Sequence, residues 1–231
     1  MNGVSFPEGI RLERLRDEHP RRRFRCGELA VDDWLATKAL QHQQKHLSVT
    51  KVLIDETGAI AGYFTLATGQ VDFGDLPADV AKHLPRRALP VAVLAWLGVD
   101  GRHRGKGLGG RLLAQALSDC WEAGKTFPFI AVILDCVNES AKAFYSRWDF
   151  AQLPGYPFRL FLSAKHLEAM IEGTWSDSSG AAWLRQALSK VALTRCKSTS
   201  WTHALIRRRS SSILHVWLRW RTSRSRPKRS K

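Results

Sequence analysis

The chain has 231 residues, enough for one ordinary domain and an extension, and its 44% apolar content is sufficient for a buried core. The net charge of +15 at pH 7 is unevenly spread: residues 173–231 hold 14 Lys and Arg against the single acid Asp177, whereas residues 1–172 hold 22 against 20 acids. The four cysteines (Cys26, Cys120, Cys136, Cys196) show no metal-ligand spacing and no disulfide framework, and no signal-peptide core or run near the ~20 apolar residues of a membrane span is present, so a reduced, cytoplasmic protein without metal is expected.

Residues 10–16 read as a first strand, and residues 32–45 as a helix with Asp32 as its cap. Residues 49–54 and 59–68 alternate around Glu56-Thr57-Gly58, which predicts a hairpin. Residues 70–90 contain Pro77, Pro85 and Pro90, with room for a short helix between the first two. Residues 91–99 form a continuous apolar run, as in a strand covered on both faces. A helix is predicted over 108–123, a strand over 129–135, a helix over 138–148 and a strand over 157–163. The order β-α-β-β-(α)-β-α-β-α-β suits an α/β fold with a mixed central sheet flanked by helices.

Between the apolar run and the helix at Leu108 the chain is basic or Gly from Arg102 to Gly107. Strand, Gly-rich turn and helix start are the parts that hold a phosphate. Gly admits an anion to backbone N–H groups, and a helix start adds free donors and partial positive charge. Arg102, Arg104 and Lys106 add full charges, so a pyrophosphate-like ligand is expected. No Gly-Lys-Ser/Thr follows at Walker A spacing. Gly105, Gly107 and Gly110 do match G-x-G-x-x-G, which leaves a dinucleotide-binding unit open at this point. Arg102, Gly105 and Gly107 also meet Arg/Gln-x-x-Gly-x-Gly/Ala, and so resemble the coenzyme A pyrophosphate loop of the GNAT acetyltransferases.

A second segment, residues 135–150, favours the last reading. Asn138 is a good N-cap after the strand, and Ala141, Phe144, Tyr145 and Trp148 follow at helical spacing. The segment resembles the GNAT pattern Asn-x-x-Ala-x-x-Phe-Tyr-x-x-x-Gly-Phe, except that Asp149 stands in place of Gly. A dinucleotide-binding unit has no need of it. Spacing alone reads Tyr145 as a core aromatic; the resemblance implies that it protonates the departing coenzyme A thiolate.

Further back, Phe24-Arg25-Cys26-Gly27, Asp33-Trp34-Leu35, Ala39-Leu40-Gln41 and the run from Gly62 to Gly69 resemble one GNAT branch. That branch contains the toxins of type II toxin–antitoxin pairs that acetylate the α-amine of aminoacyl-tRNA. The likeness covers roughly residues 10–170. It implies a domain over 1–172 with the GNAT-like mixed sheet, plus a basic C-terminal extension over 173–231. It further implies acetyl-CoA as co-substrate, aminoacyl-tRNA as acceptor, a cognate antitoxin and a homodimer. Edge strands would splay at the level of Val99, with pantetheine on the backbone of Leu97 and Val99. The amides of Arg104, Gly105, Lys106, Gly107, Leu108 and Gly109 would hold the pyrophosphate, with Asn138 nearby. An amide at Gly98 or Val99 would polarise the thioester carbonyl. RNA contact would fall to Lys38 and Lys45, seven apart on one helix face, and to Arg86, Arg87, Lys142 and Arg147, with the Arg21-Arg22-Arg23 run as a further basic stretch.

No general base stands out among His42, His46, His83 and His103. Two rival readings remain: a GNAT enzyme for a small-molecule or protein amine, and a non-catalytic nucleic-acid-binding protein. For the extension, rich in Ser, Arg and Trp, three readings stand. It is sequence beyond the domain's natural end, a basic RNA-contacting tail, or a membrane-surface segment, and amphipathic helices over 181–194 and 213–220 would suit a membrane surface or RNA.

Overall fold

Asp55 organises the first hairpin. Its carboxylate accepts the N–H groups of Thr57 and Ala59 at 2.9 and 3.0 Å and the Thr57 hydroxyl at 2.6 Å, closing the turn between β2 (Val49–Ile54) and β3 (Ile60–Val71). A computed structural model describes residues 4–172, and the sheet built on this hairpin has seven strands. The others are β1 (Arg11–Arg14), β4 (Leu89–Val99), β5 (Ala131–Asp135), β6 (Ala151–Gln152) and β7 (Arg159–Ser163), in the order β1-β2-β3-β4-β5-β7-β6. Every neighbouring pair is antiparallel except β4 and β5.

Alternation along the strands sorts side chains onto two faces. One face carries Leu94, Val132, Leu134, Leu160 and Leu162 against α4 (Leu108–Gly124), where Leu112, Leu113 and Leu117 are buried. Full burial of each such side chain contributes about 1.5–3 kcal/mol. Tyr145 and Trp148 of α5 (Glu139–Ser146) and its C-terminal flank join the same cluster, as do Leu167 and Met170 of α6 (Ala164–Glu172). The other face carries Val52 and Tyr63 against residues 24–39, and Val91 and Ile133 against the short α3 (Ala78–Ala81) and its neighbours.

The expected helix over 32–45 differs in two ways. It begins three residues earlier, as α1 (Leu29–Asp33), with Glu28 rather than Asp32 at the N-cap. Asp32 is buried and accepts the Cys26 N–H at 2.7 Å, so it fixes the entering chain instead of capping the helix. A π-helical turn (Trp34–Lys38) then separates α1 from α2 (Ala39–Gln44). There the Trp34 indole N–H donates to the Thr65 hydroxyl at 3.3 Å and the ring stacks on Trp96 at 5.3 Å between centroids.

Two elements were not anticipated. β6 has two residues, too few for a period to register. α6 does carry a signal, with Leu167, Met170 and Ile171 at helical spacing and buried. Residues 173–231, including Cys196 and the helices expected over 181–194 and 213–220, lie outside the described residues.

Candidate active site

A β-bulge shapes the centre of the sheet. β3 and β4 pair Thr65 with Trp96 but Leu66 with Leu94, so Ala95 is an extra residue on β4. Two residues before it, at Val93, β4 leaves β5. The parallel ladder holds only Ala92–Val132 and Val93–Ile133, and the strands part from there onward. The parting strands are interior to the sheet, not edge strands, and they separate well before Val99. The Asp100 N–H donates to the Ala61 carbonyl of β3 at 2.9 Å. Alternation then directs the Gly98 peptide toward β3 and those of Leu97 and Val99 into the opening. Of the two amides named for polarising a thioester carbonyl, Gly98 therefore serves the sheet and Val99 faces the gap.

The loop after Val99 is held by Asp100, a residue sequence reading missed although Asp before Gly after a strand is an ordinary turn signal. Its buried carboxylate accepts the Arg102 N–H at 3.0 Å, Arg102 Nε at 2.7 Å and the Arg25 N–H at 3.1 Å. Burial would raise the Asp100 carboxyl, but these donors outweigh it and hold it below the ordinary carboxylate value. Gly105 (φ 74°) and Gly107 (φ 72°) occupy the left-handed region, with open space where a Cβ would stand. Gly107 precedes α4 without a side-chain cap, so the first amides of that 17-residue helix face outward beside Arg104 and Lys106. The donor set fits a pyrophosphate. The Arg104 guanidinium itself turns to the Cys26 carbonyl.

Asn138 caps α5 as expected, accepting the Ala141 N–H at 2.8 Å. Its amide nitrogen donates to Glu28 Oε1 at 2.7 Å, a contact between residues 110 apart in sequence. Tyr145 is buried beside Phe144 and Phe150, with centroids at 5.1 and 5.8 Å. Burial, reinforced by the Cys136 thiol, pushes its phenol up, so it remains protonated at neutral pH. Phe144 also lies 3.8 Å from the position of a Cβ on Gly109, so α5 packs directly against the start of α4. Asp149 adopts φ 57°, the conformation that Gly would hold.

Of the four candidate histidines, His103 sits in the loop after β4. His103 Nε2 pairs with Asp55 at 3.1 Å, and His42 packs on Trp34, where burial and then Lys45 and Lys38 lower its pKa. His46 follows α2 at φ 56°, and His83 follows α3. The expected RNA-contacting cations come from three separate stretches of the chain. Lys38 and Lys45 flank His42 and are exposed. Arg86 and Arg87 precede β4 and lie about 30 Å of strand from Val99, Arg86 over the Phe73 ring. Lys142 and Arg147 lie over Phe158 and Phe144 near α5, and Lys142 also donates to Gln152 at 2.9 Å. Among the described residues no cluster of three or more His, Cys, Asp or Glu is placed to hold a metal, and no helix is long and apolar enough to cross a membrane.

This geometry has relatives. The tRNA-acetylating toxin of Mycobacterium tuberculosis is 32% identical over 171 residues, 74% of this chain and 99% of that protein. The solved structure of AtaT complexed with acetyl-methionyl-tRNAfMet is 26% identical, covering 70% of this chain and 98% of AtaT, with a TM-score of 0.65. A crystal structure of a tyrosine-to-phenylalanine mutant of KacT is 27% identical, covering 71% of this chain and 99% of KacT, with a TM-score of 0.66. The acetyltransferase (GNAT) family profile matches residues 12–150, across β1 to α5 and thus both the glycine loop and Tyr145, and the chain belongs to that family.

Proposed function

We propose that this chain transfers acetyl from acetyl-CoA to the α-amine of aminoacyl-tRNA, blocking translation as the toxin of a toxin–antitoxin pair. The observation that carries the chemistry is the opening between β4 and β5, walled by the Leu97 and Val99 peptides and lying between the glycine loop and the Tyr145 helix. The near full-length likeness to a tRNA-acetylating toxin supports the acceptor. A tRNA substrate puts the reaction in the cytoplasm, and a cognate antitoxin and self-association belong to the same reading.

In this reading the amides of residues 104–109 hold the pyrophosphate, and the Leu97 and Val99 peptides align the pantetheine arm. The Val99 N–H faces the thioester oxygen, where negative charge grows as the amine attacks. The amine nitrogen forms the new C–N bond, the C–S bond breaks, and Tyr145 gives its proton to the sulfur. Lys38, Lys45, Arg86, Arg87, Lys142 and Arg147 supply a salt-sensitive attraction for RNA phosphates.

The test is to incubate the full chain with labelled acetyl-CoA and total charged tRNA, beside Tyr145→Phe. Label on the aminoacyl end with a 10²–10⁴-fold slower turnover in the variant, roughly the contribution of one proton donor, is expected. Acetyl-CoA binding without label on tRNA would redirect the search to small-molecule or protein amines.

A further inference from the structure

Residues 25–28 form a bridge across the mouth of the β4/β5 opening. At one end the Arg25 N–H meets the Asp100 carboxylate and the Arg25 carbonyl accepts the Gly101 N–H at 2.8 Å, while the Cys26 carbonyl accepts from Arg104. These contacts tie the bridge to the loop that follows β4. At the other end Glu28 accepts from Asn138, the cap of the helix that follows β5. Gly27 turns the chain at φ 88° between the two attachments, and the Arg104 guanidinium lies 2.9 Å from where its Cβ would be. The next turn of α1 sets Val31 on Gly98: a Cβ there would stand 2.9 Å from Val31 Cγ1. The bridge therefore lies on the face opposite α4, spanning from Gly98 to the Tyr145 helix.

Glu28 is an exposed carboxylate at this mouth, and its side chain is held only by a neutral side-chain amide. Asp100 is buried under three donors. Asp32 is buried on the Cys26 N–H. Asp135 forms a two-pronged pair with Arg159 at 2.7 and 2.9 Å. Glu28 is exposed, its backbone carbonyl is fixed as the N-cap by the Val31 and Asp32 N–H groups at 3.0 Å, and only Asn138 engages its side chain. Free α-amines titrate at about 7.7–8.0 and esterification lowers that value, so the acceptor amine arrives largely as an ammonium only below neutral pH. It must lose a proton before its lone pair attacks.

We infer that Glu28 binds the acceptor ammonium at the mouth of the β4/β5 opening and takes the proton it sheds, while Asn138 holds the carboxylate in place. The inference rests on the acetyl-transfer reading above. The ammonium proton passes to a Glu28 carboxylate oxygen, the neutral nitrogen forms the C–N bond, and the thiolate leaves with the Tyr145 proton. Glu28 then returns its proton to solvent. The titratable groups around it include the Arg104 guanidinium on the loop, the Cys26 thiol and Asp32 beside the bridge, and Cys136, Glu139 and Lys142 around Asn138. The Cys26 thiol, raised to about 12 first by burial and then by Asp32, stays neutral across the working range.

Glu28→Gln keeps an oxygen for Asn138 and removes only the charge, whereas Glu28→Ala removes both. Initial rates are measured from pH 6 to 9 with charged tRNA and, in parallel, with an amino-acid ethyl ester, together with acetyl-CoA affinity. At pH 6.5 a loss in kcat/KM of about 100-fold is expected for Glu28→Gln, the low end of what one acid–base group contributes. The deficit should narrow as pH passes the amine's own pKa, with acetyl-CoA affinity within twofold of the native chain. A Glu28→Gln profile matching the native chain, or a deficit constant across pH, overturns the inference and leaves the contact as a latch. If the native chain acetylates the ester but not tRNA, the tRNA reading falls, and the Glu28 comparison is still decided on the ester.

Discussion

The glycine loop and the bridge that faces it contact each other but are made of different material. The loop works through its backbone: left-handed glycines and the open amides of α4 come from one stretch of about ten residues. The bridge works through side chains gathered from distant positions. Arg25 meets Asp100 across 75 residues, Arg104 meets Cys26 across 78, and Glu28 meets Asn138 across 110. A backbone site depends on conformation and tolerates a change of side chain. A side-chain site tolerates changes of local conformation less than loss of a single partner.

Asp100 belongs to both constructions, so its removal should have the largest effect. Asp100→Asn turns an N–H donor pair toward groups that need an acceptor, and a loss of about 2–3 kcal/mol in urea unfolding is expected. Acetyl-CoA affinity and the amine KM should worsen together, because Arg25 and Arg102 are released at once. Worsening of one without the other would separate the two halves. The pH dependence has a defined sign. The folded carboxyl lies below its ordinary value, so its stabilising share is complete above about pH 4 and is lost as pH falls through the lowered folded value. Native chain and Asp100→Asn should therefore converge in stability under acid, as followed by thermal melts.

Within the loop the contrast is between conformation and charge. Gly107→Val places a branched side chain at φ 72°, at a cost of about 1–2 kcal/mol, and should weaken acetyl-CoA about tenfold by calorimetry. Lys106→Ala, one residue away on an exposed cation, should change the same affinity less than about threefold. Equal losses would mean that side-chain charge, not backbone, holds the pyrophosphate. The smallest effect is expected at Asp149, at φ 57° after α5. Asp149→Gly relieves the left-handed φ but adds backbone freedom to the unfolded chain, so a stability change within about 1 kcal/mol is expected in thermal melts.

Much of this was legible in one dimension where the physics is local. The Asp55 turn, the apolar run of β4, the cap at Asn138 and the left-handed Asp149 all follow from neighbours within a few residues. Asp32 misled because an acid at a helix start usually caps it; here the backbone N–H of Cys26 claims it and the cap falls to Glu28. The bulge at Ala95 was invisible, since a continuous apolar run carries no alternation to interrupt. α6 was within reach of its own periodicity, and β6 was too short to have one.

The sequence by itself determined the glycine loop and the helix start behind it, because hydrogen bonds between near neighbours and steric limits on φ need no distant partner; the tyrosine of α5 was singled out by resemblance, since its spacing alone reads as packing. Only the tertiary structure decided that β4 leaves β5 at Val93, that Val99 rather than Gly98 turns its amide into the gap, and that Glu28 meets Asn138 there. Those outcomes depend on register, on one extra residue in a ladder and on contacts between segments a hundred residues apart. No pattern within either segment records them.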